Sequence, residues 1–447
     1  MKRLLICLVI SVLIMSASRD SVNTTAANLL SELTNSTFPH NGSEKKVSSA
    51  TATLSGVLEF KQKIIDPTED NFLTGMGDID GDGKNDIIGV GPADDYGDDC
   101  TRFITWYHYP DLTKRTLISF TGYSDYTYFG SGDFRLQDLD RDGDLDIISA
   151  IAAHPKFPQD STVMLVWWEN PRPASPVTTV WKRHDVGIMG HPKDIVANKD
   201  MDNDGKLDIV TRSEVFLNIF FQNSADSWSR KNFSIRQYEG MAVGDLDGDG
   251  DPDIAVNGVW YETPKNPRTE TFTEYRYAKK WLPENQPSEW RWARGGCKVR
   301  IIDLDKDGKQ DIVVSPAEAM KKMYPVAWYH TSDPKGGDWT ECVIESNIMR
   351  AHSLQIADFN LDGKLDILCG AMKREDNPDK GLWIYLQGST PLQWSRQTIQ
   401  LLGSYCAVIG DIDGDGDIDV VNVLDCSHAQ PTELWENQLL NIKKTEN

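Results

Sequence analysis

At 447 residues, length alone predicts two or three domains. A formal net charge of −22 with no basic stripe disfavours nucleic-acid binding. No Walker loop, nucleophile elbow, His-Glu-x-x-His or dinucleotide fingerprint occurs, which disfavours NTPases, hydrolases of those kinds and NAD enzymes.

The chain opens with Lys2 and Arg3, an apolar run over residues 4–15, and the small residues Ser16, Ala17 and Ser18. This is the pattern of a cleaved secretory signal over 1–18, and it predicts a secreted or periplasmic protein. The apolar run is too short for a typical membrane span, so no such span is expected. Residues 19–51 are rich in Ser, Thr and Asn and read as a flexible leader. Residues 58–65 read as a strand with no blade yet assigned to it. Cys7 lies in the signal, and Cys100, Cys297, Cys342, Cys369, Cys406 and Cys426 remain. That even number permits three disulfides without showing them, and Cys406 and Cys426 flank the strands around the last repeat and could face each other.

From residue 78 onward one phrase recurs seven times: Asp-x-Asp/Asn-x-Asp-Gly-x-x-Asp, followed at once by an Ile/Val-rich run. Its ligand-type positions are Asp78, Asp80, Asp82 and Asp86; Asp138, Asp140, Asp142 and Asp146; Asp200, Asp202, Asp204 and Asp208. They continue with Asp245, Asp247, Asp249 and Asp253; Asp303, Asp305, Asp307 and Asp311; Asp358, Asn360, Asp362 and Asp366; and Asp411, Asp413, Asp415 and Asp419. Successive starts lie 60, 62, 45, 58, 55 and 53 residues apart, a period that marks a repeat architecture. Oxygen ligands at positions 1, 3, 5 and 9, with a glycine for the sharp turn, suit a hard cation such as Ca2+. An EF-hand would need Glu at position 12 and flanking helices; here strand sequences follow position 9, so each loop joins two β-strands. Up to seven structural Ca2+ ions are expected. They would bring +14 against the −22 and leave −8, so the acidity is mostly metal chemistry rather than a partner signal.

Each period carries an aromatic strand some way after the loop, marked by Trp106, Trp167 and Trp168, Trp260, Trp328, Trp383 and Trp435. A further strand often begins at a tryptophan, as at Trp181, Trp228, Trp339 and Trp394. Four strands per unit at this period predict a propeller blade. The fold class is therefore all-β: a seven-bladed β-propeller of four-stranded antiparallel blades over residues 52–440, with a tail at 441–447. After Trp435 too little chain remains for a fourth strand, so residues 58–65 are expected to complete the last blade and close the ring. The rival, a linear solenoid, would need distinct capping repeats, and none is visible. The tryptophans read as core between blades, and the protein is expected to be a monomer.

The Asp loops mark one face of the disc. Inner strands begin, and second strands end, on the opposite face around the central funnel. Residues at the inner-strand starts are Glu239, Cys297, His352 and Tyr405, with His191 and Lys193 in the third repeat, where Asn198 and Lys199 suggest a one-residue insertion. Just upstream lie Tyr238, Arg294 and Arg350, and second-strand ends supply His154, Arg212, Asn257, Lys373 and His428. Each has a plainer role available: a lone funnel histidine can satisfy a carbonyl, Tyr405 can pack, and Arg294 can be a solvated loop charge.

The Asp loops resemble those of the FG-GAP/VCBS family of calcium-loop β-propellers. Integrin α-subunits share the loop, but their Phe-Gly and Gly-Ala-Pro markers are missing here. The segments around His352, His191 and Trp260 are similar to secreted single-domain propellers of polysaccharide-use systems. These include ulvan oligosaccharide dehydratases, rhamnose–glucuronate and ulvan lyases, and the propeller domain of aldos-2-ulose dehydratase. The resemblance implies β-elimination on uronate-containing oligosaccharides such as ulvan fragments. Such chemistry needs a base, a cationic stabiliser and an acid. The expected assignments are His352 and Tyr405 as base and acid in either order, with Arg294, Arg350 or Lys193 on the carboxylate. His191 would assist or ligate a further divalent metal in the funnel, and Glu239, Tyr238, Arg212, His154 and His428 would complete the substrate site. The alternative is a non-catalytic, calcium-stabilised propeller that binds carbohydrate or protein.

Overall fold

The computed structural model describes residues 57–67, 71–90, 103–119, 128–153, 162–213, 215–236, 239–285, 296–318, 322–374, 377, 380–425 and 431–440. The expected signal, the leader and the tail lie outside the described residues. Among those described, no helix is long and apolar enough to cross a membrane.

The first blade shows the plan: Leu73–Gly77, Asp86–Val90, Phe103–His108 and Thr113–Ser119 form a four-stranded antiparallel sheet in chain order. The order repeats in the third to sixth blades, whose inner strands are Asp194–Lys199, Met241–Gly244, Lys298–Ile302 and Ser353–Ala357. In every blade the Asp phrase is the turn between the first strand and the second. Second strands such as Asp86–Val90, Asp208–Arg212, Asp311–Ser315 and Asp419–Val423 are buried along their whole length. A continuous apolar run of this kind needs cover on both faces, and neighbouring blades supply it. The fourth strands alternate instead, as in Ser227–Ser234, because only one face meets the core.

The core lies between blades. Trp106, Trp167, Trp168, Trp260 and Trp328 are essentially without solvent contact, as the sequence predicts. Each aromatic of this kind buries about 150–250 Å². The seven inner strands touch one another in a closed ring.

Two blades depart from the plan. In the seventh, Cys406–Gly410, Asp419–Val423 and Thr432–Asn437 are completed by the N-terminal strand Phe60–Asp66, which pairs antiparallel with Thr432–Asn437. Both ends of the ring thus meet in one sheet, and the edge that an open ring would expose is covered. In the second blade the inner edge is split into Tyr128–Phe129 and Arg135–Gln137, both paired with Asp146–Ala152. The interruption, which contains Gly130 and Gly132, turns Asp133 toward the centre of the ring. In the third blade the inner ladder is irregular between Val196 and Lys199, at the insertion the sequence suggests.

Cys297, Cys342, Cys369 and Cys406 are free thiols. Cys406 packs its Sγ 3.8 Å from Thr74 Oγ1, because its inner-strand position faces the first blade. Cys100 and Cys426 lie outside the described residues.

Candidate active site in the central funnel

Loop and funnel are built by different rules. In the first loop Gly83 has φ of 88°, a left-handed turn that glycine adopts without strain. This lets Gly83 N donate to Asp78 Oδ2 at 2.9 Å. The position-nine carboxylate then bridges loop and sheet: Asp86 accepts from Ile79 N at 3.2 Å and from Tyr109 N at 2.9 Å. Asp146, Asp208, Asp253, Asp366 and Asp419 accept the same pair of amides in their blades. Several loop oxygens are buried without a hydrogen-bond partner, among them Asp138 Oδ1, Asp202 Oδ1 and Asp415 Oδ2. Buried oxygens converging in this way fit a hard divalent cation, and all the donors are of the type Ca2+ takes.

On the funnel face, His352 and Glu239 stand at the starts of the sixth and fourth inner strands. His352 Nε2 lies 3.0 Å from Glu239 Oε1 and 3.6 Å from Glu318 Oε1. Its Nδ1 donates to the Tyr405 carbonyl at 2.8 Å, and its ring stacks on Tyr405 with centroids 4.2 Å apart and planes 12° from parallel. Lys298 Nζ, from the fifth inner strand, lies 2.5 Å from Glu239 Oε1. Gly240, next to Glu239, takes φ of 98°, and an added Cβ would stand 2.0 Å from the Cys297 carbonyl. Glycine is therefore needed there for the fourth blade to bring Glu239 against the fifth.

The electrostatics separate the two carboxyl groups. Burial alone would raise Glu239, but Lys298 and His352 hold it well below the usual carboxylate range. Burial, with the Glu239 charge beside it, pushes Glu318 up to about 7. Below this cluster a small polar cavity of about 90 Å³ is lined by Asp133, Arg135, Lys193, Asp194, Lys298 and Arg300, among others. Burial, with Arg135 nearby, lowers Arg300 to about 10. Typical ligand pockets hold about 300–1,000 Å³, so this space takes a charged substituent rather than a whole sugar. Glu239, Glu318 and His352 place one ligand-type atom each within 4.8 Å of one another and could hold a cation.

The structure thus brings together His352, Tyr405, Glu239 and Lys193. His191 is half-buried beside them, and burial, reinforced by Lys193, lowers it to about 3, so its ring is neutral at physiological pH. Arg212 and Arg350 are buried. Arg212 donates from NH1 to Gly240 O and to Asn257 Oδ1, both at 2.9 Å, and so acts as an internal tie between the third and fourth blades rather than a substrate contact. Arg350 sits at φ of 55°, just before His352. Tyr238, Arg294, His154 and His428 lie outside the described residues.

Sequence reasoning missed Glu318, Lys298, Arg300 and Arg135. Glu318 follows the second strand of the fifth blade, a place read in the other blades and passed over here. Lys298 and Arg300 are alternate residues of one inner strand, and period-two alternation would have aimed both at the funnel.

Among known proteins, the FG-GAP-like repeat model matches residues 200–256, 303–369 and 358–421. A search of curated proteins found no match. Among solved structures, the chain is similar to an Agrocybe aegerita lectin described for specific recognition of non-reducing terminal N-acetylglucosamine. Identity is 15%, coverage is 75% of this chain and 81% of that one, and the TM-score is 0.44. It is also similar to BBS1N, solved in complex with ARL6DN, at 11% identity over 85% of this chain and 97% of that one, with a TM-score of 0.49. The chain carries FG-GAP-like repeats on a seven-bladed β-propeller.

Proposed function

We propose that this protein is a carbohydrate-active enzyme that performs β-elimination on uronate-containing oligosaccharides from its funnel face. The observation that carries the reading is the Glu239–His352–Glu318 cluster. Two carboxyl groups flank one imidazole; one is held ionised and the other is tuned near neutral pH. Carboxyl groups whose environments push them apart are the mark of an acid–base pair.

The base in this reading is Glu318 rather than His352. His352 directs Nδ1 at a carbonyl and Nε2 at a carboxylate, so both ring nitrogens are already engaged within the protein. Glu318 removes the proton α to the uronate carboxylate. The C–H pair becomes the new C=C bond as the β C–O bond breaks. Lys193 and Arg300 face the developing enolate charge, and Tyr405 gives its proton to the leaving oxygen. The leaving group is water in a dehydratase and the neighbouring sugar hydroxyl in a lyase. The narrow cavity supports this assignment, since it admits a carboxylate or sulfate and leaves the ring at the mouth.

A second reading of the same three residues is a divalent cation site. It is favoured by the Nδ1–H donated to the Tyr405 carbonyl, which would fix the tautomer and turn the Nε2 lone pair toward both carboxylates. A cation there would supply positive charge to the substrate carboxylate. We also propose Ca2+ in the Asp loops, where it would brace the blades away from the chemistry, and export directed by residues 1–18.

The test is to incubate purified protein with ulvan, pectin and glucuronan fragments and follow the absorbance of unsaturated products and the loss of one water by mass. Product from the wild type and none from Glu318→Gln supports the enzyme. Saturable binding with no product from any substrate would replace it with the binding propeller. Elemental analysis of Glu318→Gln separates the cation site from the acid–base pair: only the former loses a metal ion.

A further inference from the structure

The seven loops share a phrase but not a neighbourhood. The connection between the third and fourth strands of each blade runs beside the Asp loop of the preceding blade. At the fourth loop this connection delivers Lys335. Its Nζ lies 2.7 Å from Asp247 Oδ2 and 2.5 Å from Glu262 Oε1, and Asp247 is only 5% exposed. At the third loop it delivers Arg268, whose Nε donates to Asp202 Oδ2 and whose NH1 donates to Asn223 Oδ1 at 2.8 Å. The equivalent connections over the second, fifth and seventh loops, at residues 225–226, 388–393 and 109–112, contain no lysine or arginine.

The two cations meet their loops differently. In the first, second, fifth and seventh loops, Oδ1 of the position-three carboxylate accepts the amide two residues on, at 3.1–3.2 Å. Asp247 does the same through Asp249 N at 3.1 Å, so Oδ2 is the oxygen left to take an ion, and Lys335 stands on it. Asp202 is turned the other way. Its Oδ2 holds Arg268 and its Oδ1 stays buried with no hydrogen-bond partner; Asp247 Oδ2 likewise accepts no aligned hydrogen bond and meets Lys335 as an ion pair.

We propose that Lys335 is a built-in counter-ion that occupies the cation position of the fourth loop, so that Ca2+ must displace it, whereas Arg268 supports the third site from outside. The fourth loop is then a latch between the fourth and fifth blades that stays closed when calcium is scarce. The six remaining loops depend on the ion. This rests on the loops' taking Ca2+ and is independent of the funnel chemistry.

The test is equilibrium dialysis of the full chain against graded free calcium, on wild type, Lys335→Met, Lys335→Arg and Arg268→Met. In the wild type one site fills last. In Lys335→Met that site tightens by about fivefold, the scale of a partly exposed ion pair. Lys335→Arg keeps the wild-type curve, and Arg268→Met weakens a site. Melting gives the second readout: Lys335→Met is less stable than wild type in chelator and equally or more stable in saturating calcium. A Lys335→Met curve that superimposes on wild type, or weakens, overturns the assignment. A wild type that binds no calcium removes the loop sites and this assignment with them.

Discussion

The two faces of the disc differ in how they use the same seven blades. On the loop face all seven blades do one thing: a nine-residue phrase gathers carboxylates, and backbone amides hold them. On the funnel face each blade does something different. The second offers Asp133 and Arg135, the third Lys193, the fourth Glu239, the fifth Lys298, Arg300 and Glu318, and the sixth His352. Repetition serves a task every blade shares, which is to fix its own turn and its junction with the next. A site for one asymmetric ligand cannot be repeated, so its residues occur once each.

The loop face gives the largest effect. Chelation is expected to lower the Tm by about 10 °C or more, since a single site held at 100 times its Kd contributes about 2.7 kcal/mol. The pH dependence should invert with it. Without metal, burial pushes Asp146 up to about 8 and Asp208, Asp253, Asp311, Asp366 and Asp419 up to about 7, from 3.8. The folded chain then binds protons that the unfolded chain releases, so between about pH 4 and 8 the chelated protein loses stability as pH rises. Saturating calcium needs these groups ionised, and the loaded protein should be more stable at pH 8 than at pH 5. Melting curves across that range, with and without chelator, would show the crossing; parallel curves would separate the loops from metal.

On the funnel face, Glu239→Gln is expected to reduce turnover by about a hundredfold or more, because it removes the charge that holds Lys298 and His352 in place beside the base Glu318. The calcium-dependent shift in Tm should stay intact. Arg212→Met tests the boundary between the faces. It removes the two hydrogen bonds that Arg212 donates to the Gly240 carbonyl and to Asn257 Oδ1, so urea unfolding should show a loss of about 2–3 kcal/mol. The smallest effect is expected at His191→Gln. The ring is already neutral, so the pH profile of turnover should keep its shape between pH 5 and 8.

The contrast also explains what was readable in the sequence. Period, strand order and ring closure were legible because every blade repeats the same evidence. The loop carboxylates were legible for the same reason, and Asn360 stood out only against the other six copies. The funnel was legible in part. His352 and Tyr405 could be placed by counting back from Asp358 and Asp411, and they do stack on each other. Glu318 and Lys298 could not be singled out that way. Their importance comes from pairing with Glu239, which lies 79 residues before Glu318 and 59 before Lys298 and meets them only when the fourth and fifth blades pack together. Arg212 misled for the opposite reason: its position is right, but the packed junction with the fourth blade buries it.

The division of labour is tested most directly by turnover of Asp366→Asn and Glu239→Gln, assayed side by side in saturating calcium at a temperature where both are folded. The expected result is that Asp366→Asn retains turnover despite its lower Tm, while Glu239→Gln, folded at the assay temperature, turns over about a hundredfold or more slowly. Loss of turnover in folded Asp366→Asn, or wild-type turnover in Glu239→Gln, would contradict it.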